Sequence, residues 1–508
     1  MASLCSKCNK TFDTLTKQGL CGICNEARSG ESKGPKTSWG DERFARVLCQ
    51  QWGDKMVWDT QTELHWRYVN QKGKRPDDGK YAGCVWTPYF RNDMKRDVFN
   101  LLDGAEKGKH ITPGTIDSVV DLCQYVCNGG KAVDGIDDRY ISFNDTLIDP
   151  DTLEKKPHIP SNVATMHFDV NFSDLPTLEC PWFDKYLDVT CRDFSGNPVP
   201  EMREQIYEAI GYLLSNMNRH LGFFLTGCGG NGKGVTMNIV EAIIGRHRTS
   251  KLTIPQMEGF NLSSTYGMKV NIDFDDECDG INPEIFRKIL SNEPFMVREL
   301  YKPAREIRRW PKYIGAFNHF PQFKSFGDAM LRRCIVIAFG YKVKKEELID
   351  DLHGKIIKGG ELPAIVYRSL MALQRLNSNG FTFTSTPDSI EALSMMEDAS
   401  SSVASYVKKF WQVDQGGKVP FVEVYDAYVS WTEKNRHKPV SSTRFSREAM
   451  EIIGKSRAMN KAGINDGKNF VGYRISRKPD VEVEFEKSGD PVADQYALDF
   501  KGEVMPSL

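Results

Sequence analysis

The sequence predicts an α/β protein built around a three-layer core, and three stretches carry that prediction. In the first, Leu221-Gly-Phe-Phe-Leu-Thr-Gly-Cys-Gly-Gly-Asn-Gly-Lys-Gly-Val-Thr236, an apolar run feeds a glycine cluster that ends on one lysine and opens a helical pattern. That order reads as strand, loop, helix. The second, Lys269-Val-Asn-Ile-Asp-Phe-Asp-Asp-Glu277, is a short strand ending in acids; the third, Tyr313-Ile-Gly-Ala-Phe317, is an apolar strand ending in Asn318-His-Phe-Pro321.

Length and composition bound the rest. A chain of 508 residues, 40% hydrophobic and 27% charged, has ordinary globular composition and room for about three or four domains. Its formal net charge of −1 argues neither for nor against nucleic acid, so any binding surface must come from local clusters. No apolar run approaches the roughly 20 residues of a membrane span, and Met1 to Cys8 lacks a signal-peptide layout. A cytoplasmic protein is expected, in the host cytoplasm if a phage encodes it. Of the 13 cysteines, four form a metal-type cluster and the others are scattered singly, as thiols are in a reducing compartment.

That cluster comes first in the chain. Cys5-Ser-Lys-Cys8 and Cys21-Gly-Ile-Cys24 give four soft ligands at the spacing of two knuckles around tetrahedral Zn²⁺. Residues 1–28 are therefore expected to form a zinc ribbon whose folding energy comes largely from the metal, with a docking or nucleic-acid-contacting role. Residues 29–38 read as a linker.

Residues 39–200 read as a mixed helical and α/β N-terminal domain. Phe44, Val47, Leu48 and Trp52 recur at helical spacing, and Met56 to Val69 reads as a hairpin with a polar turn. Trp58, Trp66 and Tyr68 alternate as core aromatics do. Cys123 and Cys127 read as packing thiols, because no fourth ligand completes a zinc site with them and His110. Tyr140 to Pro150 reads as strand and turn, and Pro176 to Leu187 as a loop entering a helix.

The core proper is placed at 201–345. From Gly227 the spacing G-x-x-x-x-G-K is complete, the signature of a P-loop. Gly227, Gly229, Gly230, Asn231, Gly232, Lys233, Gly234 and Val235 are the expected nucleotide-binding residues. The glycines let backbone N–H groups turn onto phosphates, Lys233 reaches the terminal ones, and the following helix points its positive end at them. One position departs from the motif: Gly234 stands where a Ser or Thr hydroxyl holds Mg²⁺, and Thr236 should face away. Hydrolysis also needs a carboxylate on Mg²⁺ and another to orient water. Asp276 is assigned to the metal, with Asp275 as the alternate ligand, and Glu277 to the water. Asn318 is expected to hold the attacking water or the γ-phosphate. Between the strands, Arg298 to Lys312 is basic and interleaved with aromatics, as a loop tracking a single strand should be; Lys302 and then Arg305 are its expected DNA contacts. Arg332 and Arg333 precede the apolar run Cys334 to Phe339, where either guanidinium suits an arginine finger on a neighbour's nucleotide.

Residues 346–400 are expected to be a helical connector and 401–480 a winged-helix DNA-binding domain. The latter holds fifteen Lys or Arg against eight acids, favouring contact with phosphates. In it Phe421 to Trp431 and Phe445 to Ile453 read as helices and Phe470 to Ile475 as a strand, giving helix, helix, wing. Residues 481–508, with seven acids against Lys487 and Lys501, read as a solvated acidic tail.

Taken in order, G-C-G-G-N-G-K-G, the D-D-E strand end, the basic segment with Tyr301-Lys-Pro303, A-F-N-H-F-P and L-R-R before an apolar strand resemble superfamily 3 helicases. More narrowly they resemble the poxvirus and phage or plasmid primase-helicase type. The resemblance implies an AAA+-like P-loop ATPase core, ATP and Mg²⁺ as cofactors, and a ring, most simply a homo-hexamer. It also implies a basic loop lining a central channel, 3′ to 5′ travel on single-stranded or forked DNA, and arginines acting in trans. Only the zinc segment and linker precede residue 39, so the primase-polymerase domain of many relatives is not carried over, and a separate primase or polymerase is an expected partner. The expected activity is ATP-dependent DNA unwinding in viral or mobile-element replication. Two rivals are an ATP-driven initiator or loader that melts an origin without travelling, and a nucleotide-gated DNA-binding scaffold without turnover.

Overall fold

A computed structural model describes residues 39–274 apart from 107–110, 128–131 and 134; 283–319 apart from 300–301; 321, 323 and 328–452 apart from 435–438; 469–475; and two short strands, β1 (Ser3–Leu4) and β2 (Thr11–Phe12). Two compact units emerge, one of residues 1–179 with 214–216, the other of 180–213 with 217–508. The division falls at Glu179/Cys180, whereas the sequence places the domain boundary at 200.

The first unit is mixed α/β. Helix α1 (Trp39–Trp52) buries Ala45, Leu48, Cys49 and Trp52, one face at the spacing of an α-helix. Strands β3 (Met56–Asp59) and β4 (Leu64–Val69) form the expected antiparallel hairpin. Buried Asp59 ties its turn, accepting from Gln61 N at 2.9 Å and Thr62 Oγ1 at 2.7 Å. Strand β5 (Val85–Tyr89) extends the hairpin, and α2 (Arg91–Glu106) and α3 (Pro113–Val126) follow. Thr112 caps α3, accepting from Thr115 N at 3.1 Å ahead of Pro113. Cys123 and Cys127 are buried, and their thiols donate to the carbonyls of Val119 and Met56, each at 3.2 Å. Short β6 (Ala132–Val133) pairs with β3, and β7 (Tyr140–Ser142), β8 (Leu147–Ile148), β9 (Lys155–Lys156) and β10 (Ala164–His167) make a second sheet.

In the second unit, α4 (Pro181–Thr190) and α5 (Pro200–Leu214) precede the central strand β11 (Gly222–Thr226). Helix α6 (Lys233–Ile244) leaves it, followed by β12 (Thr249–Ser250), β13 (Val270–Asp273), α7 (Pro283–Leu290), the pair β14 (Phe295–Val297) and β15 (Arg305–Ile307), β16 (Lys312–Phe317), the short α8 (Asp328–Leu331) and β17 (Cys334–Ala338). Five of these strands form one parallel sheet in the order β12-β13-β16-β11-β17. Every residue of β11 is buried. Phe224 packs on one face with Phe286 of α7, while Phe223 meets Tyr212 of α5 and Phe383 on the other. Burial on both faces explains why the strand reads as an unbroken apolar run.

Helices α9 (Leu352–Lys358), α10 (Leu362–Ser378) and α11 (Pro387–Ser400) come next. Buried Glu361, just before α10, accepts from Trp182 N at 3.0 Å and Phe183 N at 2.9 Å. A carboxylate thus satisfies the first amides of α4 and favours its positive end. The last segment comprises α12 (Ser402–Phe410), β18 (Trp411–Pro420), α13 (Phe421–Lys434), α14 (Ser442–Ile452) and β19 (Asn469–Ile475). Its core joins Tyr406, Val424, Tyr428 and Phe445, and β18 pairs antiparallel with β19. Among the described residues no helix is long and apolar enough to cross a membrane.

Candidate nucleotide site

Register brings the strand ends of the site together. Strand β11 pairs with β16 so that Thr226 lies opposite Phe317, and with β17 so that Thr226 lies opposite Ala338. The glycine loop, Asn318 and Phe339 therefore leave adjacent parallel strands at the same carboxyl edge. Chain order reverses about β11, whose neighbours β16 and β17 come last, and the crevice at such a switch point is where α/β sheets bind ligands.

The loop is held by groups that only a small backbone allows. At Gly227, where φ is 140°, an added Cβ would lie 2.3 Å from the Phe339 carbonyl. At Gly232, where φ is 98°, it would lie 2.7 Å from Thr190 Oγ1 and 2.9 Å from the Tyr186 ring. Asn231 Nδ2 donates to Phe339 O at 2.8 Å, pinning the loop to the strand beside it. Tyr186 of α4 pins its end: the hydroxyl donates to Gly232 O at 3.1 Å and lies 2.5 Å from Thr236 Oγ1. Burial pushes that phenol well above its ordinary range, so it serves as a neutral hydrogen-bonding group. Thr236 is buried in this contact.

Lys233 opens α6 and is 6% exposed. Its ammonium donates to Cys228 O at 3.0 Å, Asn231 Oδ1 at 3.1 Å, Asn318 Oδ1 at 3.0 Å and the Gly227 carbonyl. These are neutral oxygens, and a phosphate with full charge would attract the ammonium more strongly. Around the loop opens a cleft of about 460 Å³. Its lining joins the glycine loop, Lys233 and Asn318 with the apolar side chains of Val189, Leu348, Ile349 and Leu352.

Gly234 is exposed at the cleft, and a Cβ there would meet nothing within 4 Å. Gly234→Ser should therefore fold with a melting point at or slightly above the parent's, since glycine costs about 1 kcal/mol in a helix and serine about half that. It should retain or tighten Mg²⁺-dependent nucleotide binding. A Mg²⁺ titration of nucleotide binding checks this, and lost binding would show that the loop closes differently around its ligand. Tyr186→Phe removes the hydroxyl and leaves buried Thr236 Oγ1 without it, at an expected cost of about 1–3 kcal/mol. Weaker nucleotide binding should accompany the lower melting point; binding at parent strength would remove Tyr186 from the support of the loop.

The other expected residues are placed as follows. Strand β13 ends at buried Asp273, which accepts from Tyr313 OH at 2.8 Å and Ile254 N at 3.0 Å. Asp275, Asp276 and Glu277 lie outside the described residues, as do Cys5, Cys8, Cys21 and Cys24. Among the described residues no group of three or more His, Cys, Asp or Glu is arranged for a metal. Lys302 and Arg305 sit at the β14–β15 pair, and both reach Glu299, Lys302 Nζ at 2.9 Å and Arg305 Nη2 at 2.8 Å. The Arg305 guanidinium also lies 4.0 Å from the centre of the Tyr266 ring. Arg332 is exposed, whereas half-buried Arg333 donates from Nε to Ser291 Oγ at 3.0 Å and accepts from Gly222 N at its carbonyl. Sequence reasoning missed Tyr186 and Thr190, which line the cleft, and it did not single out Asp273, a buried acid at the end of β13 beside buried Asn271.

A family described as being of unknown function, DUF5906, matches residues 225–333. Among solved structures, an A-form apo structure of the NrS-1 C-terminal region is similar at 14% identity, with a TM-score of 0.42, over 82% of this chain and 91% of that one. Another apo structure of that region aligns at 13% identity and a TM-score of 0.38, over 83% of this chain and 92% of that one.

Proposed function

We propose that the protein is an ATP-driven DNA helicase whose second unit hydrolyses ATP at the cleft beside β11. One observation carries the reading: Lys233 Nζ and Asn318 Oδ1 meet at 3.0 Å where β11 and β16 end. That proximity supports a reading in which the lysine and the strand-end amide contact the same γ-phosphate. A clamp that only binds nucleotide has no need of the second group.

In this reading the apolar side chains of the cleft take the base and the loop amides take the phosphates. The reaction is phosphoryl transfer to water, with Lys233 compensating charge, Asn318 holding water or phosphate, and Glu277 orienting the nucleophile. Mg²⁺ would neutralise phosphate charge, held by Asp276 or Asp275, because Gly234 offers no side-chain oxygen. The subunits form a ring, most simply a hexamer, moving 3′ to 5′ on single-stranded DNA, with Lys302 following its phosphates. The zinc segment, with Zn²⁺ on Cys5, Cys8, Cys21 and Cys24, and the basic segment 401–480 as a winged helix supply further DNA or partner contacts.

Lys302→Ala is the test of coupling. Basal hydrolysis should survive, while stimulation by single strands and unwinding of forked duplexes are lost, since travel needs a charge that follows phosphates through the cycle. Normal unwinding by the variant would remove Lys302 from the motor. Gly234 supports the second reading, a nucleotide-gated scaffold, because a loop without the hydroxyl holds Mg²⁺ less firmly; it predicts nucleotide binding without phosphate release.

A further inference from the structure

Of the two carboxylates in the basic β14–β15 segment, Glu306 pairs with Arg308 at 2.9 Å, and Glu299 faces the cations assigned to DNA. Glu299 stands in the turn between the two strands, and its side chain is only 14% exposed. It reaches both cations assigned to DNA: Lys302 through Oε2 at 2.9 Å and Arg305 through Oε1 at 2.8 Å. The turn closes through Lys302 N and Glu299 O at 3.4 Å. The two cations are not equivalent. Arg305 is 24% exposed and braced against the ring of buried Tyr266, whereas Lys302 is 46% exposed and held on a flexible stem. Two oxygens bridging two cations are what one phosphate of a nucleic-acid strand presents.

We propose that Glu299 is an internal phosphate mimic. It occupies Lys302 and Arg305 while no strand is bound, and a strand phosphate displaces it from Lys302 while Arg305 stays braced between Glu299 and Tyr266. Glu299 is thus a positioning residue: it keeps Lys302 folded down and sets how much strand charge is needed to raise it. Lys302 is then the mobile contact and Arg305 the fixed post. This rests on the DNA-motor reading above.

The test uses the full chain with a fluorescent oligo-dT strand, titrated at several salt concentrations. Glu299→Gln should bind about three- to fivefold more tightly at low salt, the size of a half-exposed ion pair released from competition. Its affinity should fall more steeply with salt, by about 0.7 in the log–log slope, because one more cation is left for phosphate. Glu299→Asp, which keeps the charge, should follow the parent slope, and Glu299→Gln with Lys302→Ala should lose the gain. Parent-like or weaker binding by Glu299→Gln, with Lys302→Ala still weakening binding, overturns the mimic and leaves the DNA reading standing. A gain that survives in the double variant also overturns it. Absence of strand binding by the parent chain removes the DNA reading and the mimic together. Should Glu299→Gln melt far below the parent, a crystal of the parent chain with oligo-dT decides. Lys302 Nζ on a phosphate and off Glu299 upholds the mimic, and Lys302 still on Glu299 overturns it.

Discussion

Lys233→Ala should leave a folded protein that no longer hydrolyses ATP. Several contacts at the loop do not involve the lysine: Asn231 Nδ2 on Phe339 O and the Tyr186 hydroxyl on Gly232 O remain. What disappears is the one ammonium held among Gly227, Cys228, Asn231 and Asn318. Removing a single preorganised electrostatic group from a reacting centre costs about 10²–10³ in rate, and in the proposed site Lys233 is the ammonium that contacts the phosphates. Phosphate release should fall by at least that factor, and unwinding with it. The far-ultraviolet circular dichroism and the cooperativity of melting should match the parent's. Residual hydrolysis near the parent rate would mean that the cleft beside β11 is not where ATP reacts.

The second large effect concerns the arginines, which the structure separates although the sequence treats them alike. Arg333 is tied to Ser291 and through its carbonyl to Gly222, at the start of the central strand. Arg332 is exposed and makes no ion pair among the described residues. A finger must reach a neighbour's nucleotide, so Arg332 is the better candidate in a ring and Arg333 the anchor that aims it. Loss of a finger costs about 10³–10⁵ in rate, and Arg332→Ala should be nearly inactive by itself. Arg333→Ala should chiefly lower the melting point. Mixing Arg332→Ala with Lys233→Ala should restore activity, because random assembly of a head-to-tail ring gives roughly a quarter of its interfaces an intact loop facing an intact arginine. Phosphate release from the mixture, measured beside each variant alone, checks this. A mixture no more active than its components, or Arg332→Ala at parent activity, would defeat the ring.

The legible part of this protein is what one short stretch encodes. The loop at Gly227 to Lys233 is read by spacing, and Asn318 because an amide ends an apolar run; parallel register then brings them together at 3.0 Å. The helix 181–190 was legible as a helix but not as part of the site. Tyr186 and Thr190 meet Gly232 across some forty residues of chain, a contact that no periodicity encodes. Glu299 was hidden inside a run read for its positive charge. The strand Trp411–Pro420 escaped because Asp414 and the Gly416-Gly417 pair interrupt its pattern, and its pairing with Asn469–Ile475 supplies what local propensity does not. Apolar strands were read well because burial on both faces leaves them one composition.

Turnover at this cleft, coupled to a DNA strand, is open to direct measurement. Its most direct measurement is steady-state phosphate release by the parent chain, with ATP and Mg²⁺, in the absence and presence of single-stranded DNA. Hydrolysis should rise several-fold with the strand and be absent in Lys233→Ala. Saturable nucleotide binding with no phosphate release, with or without the strand, would contradict it.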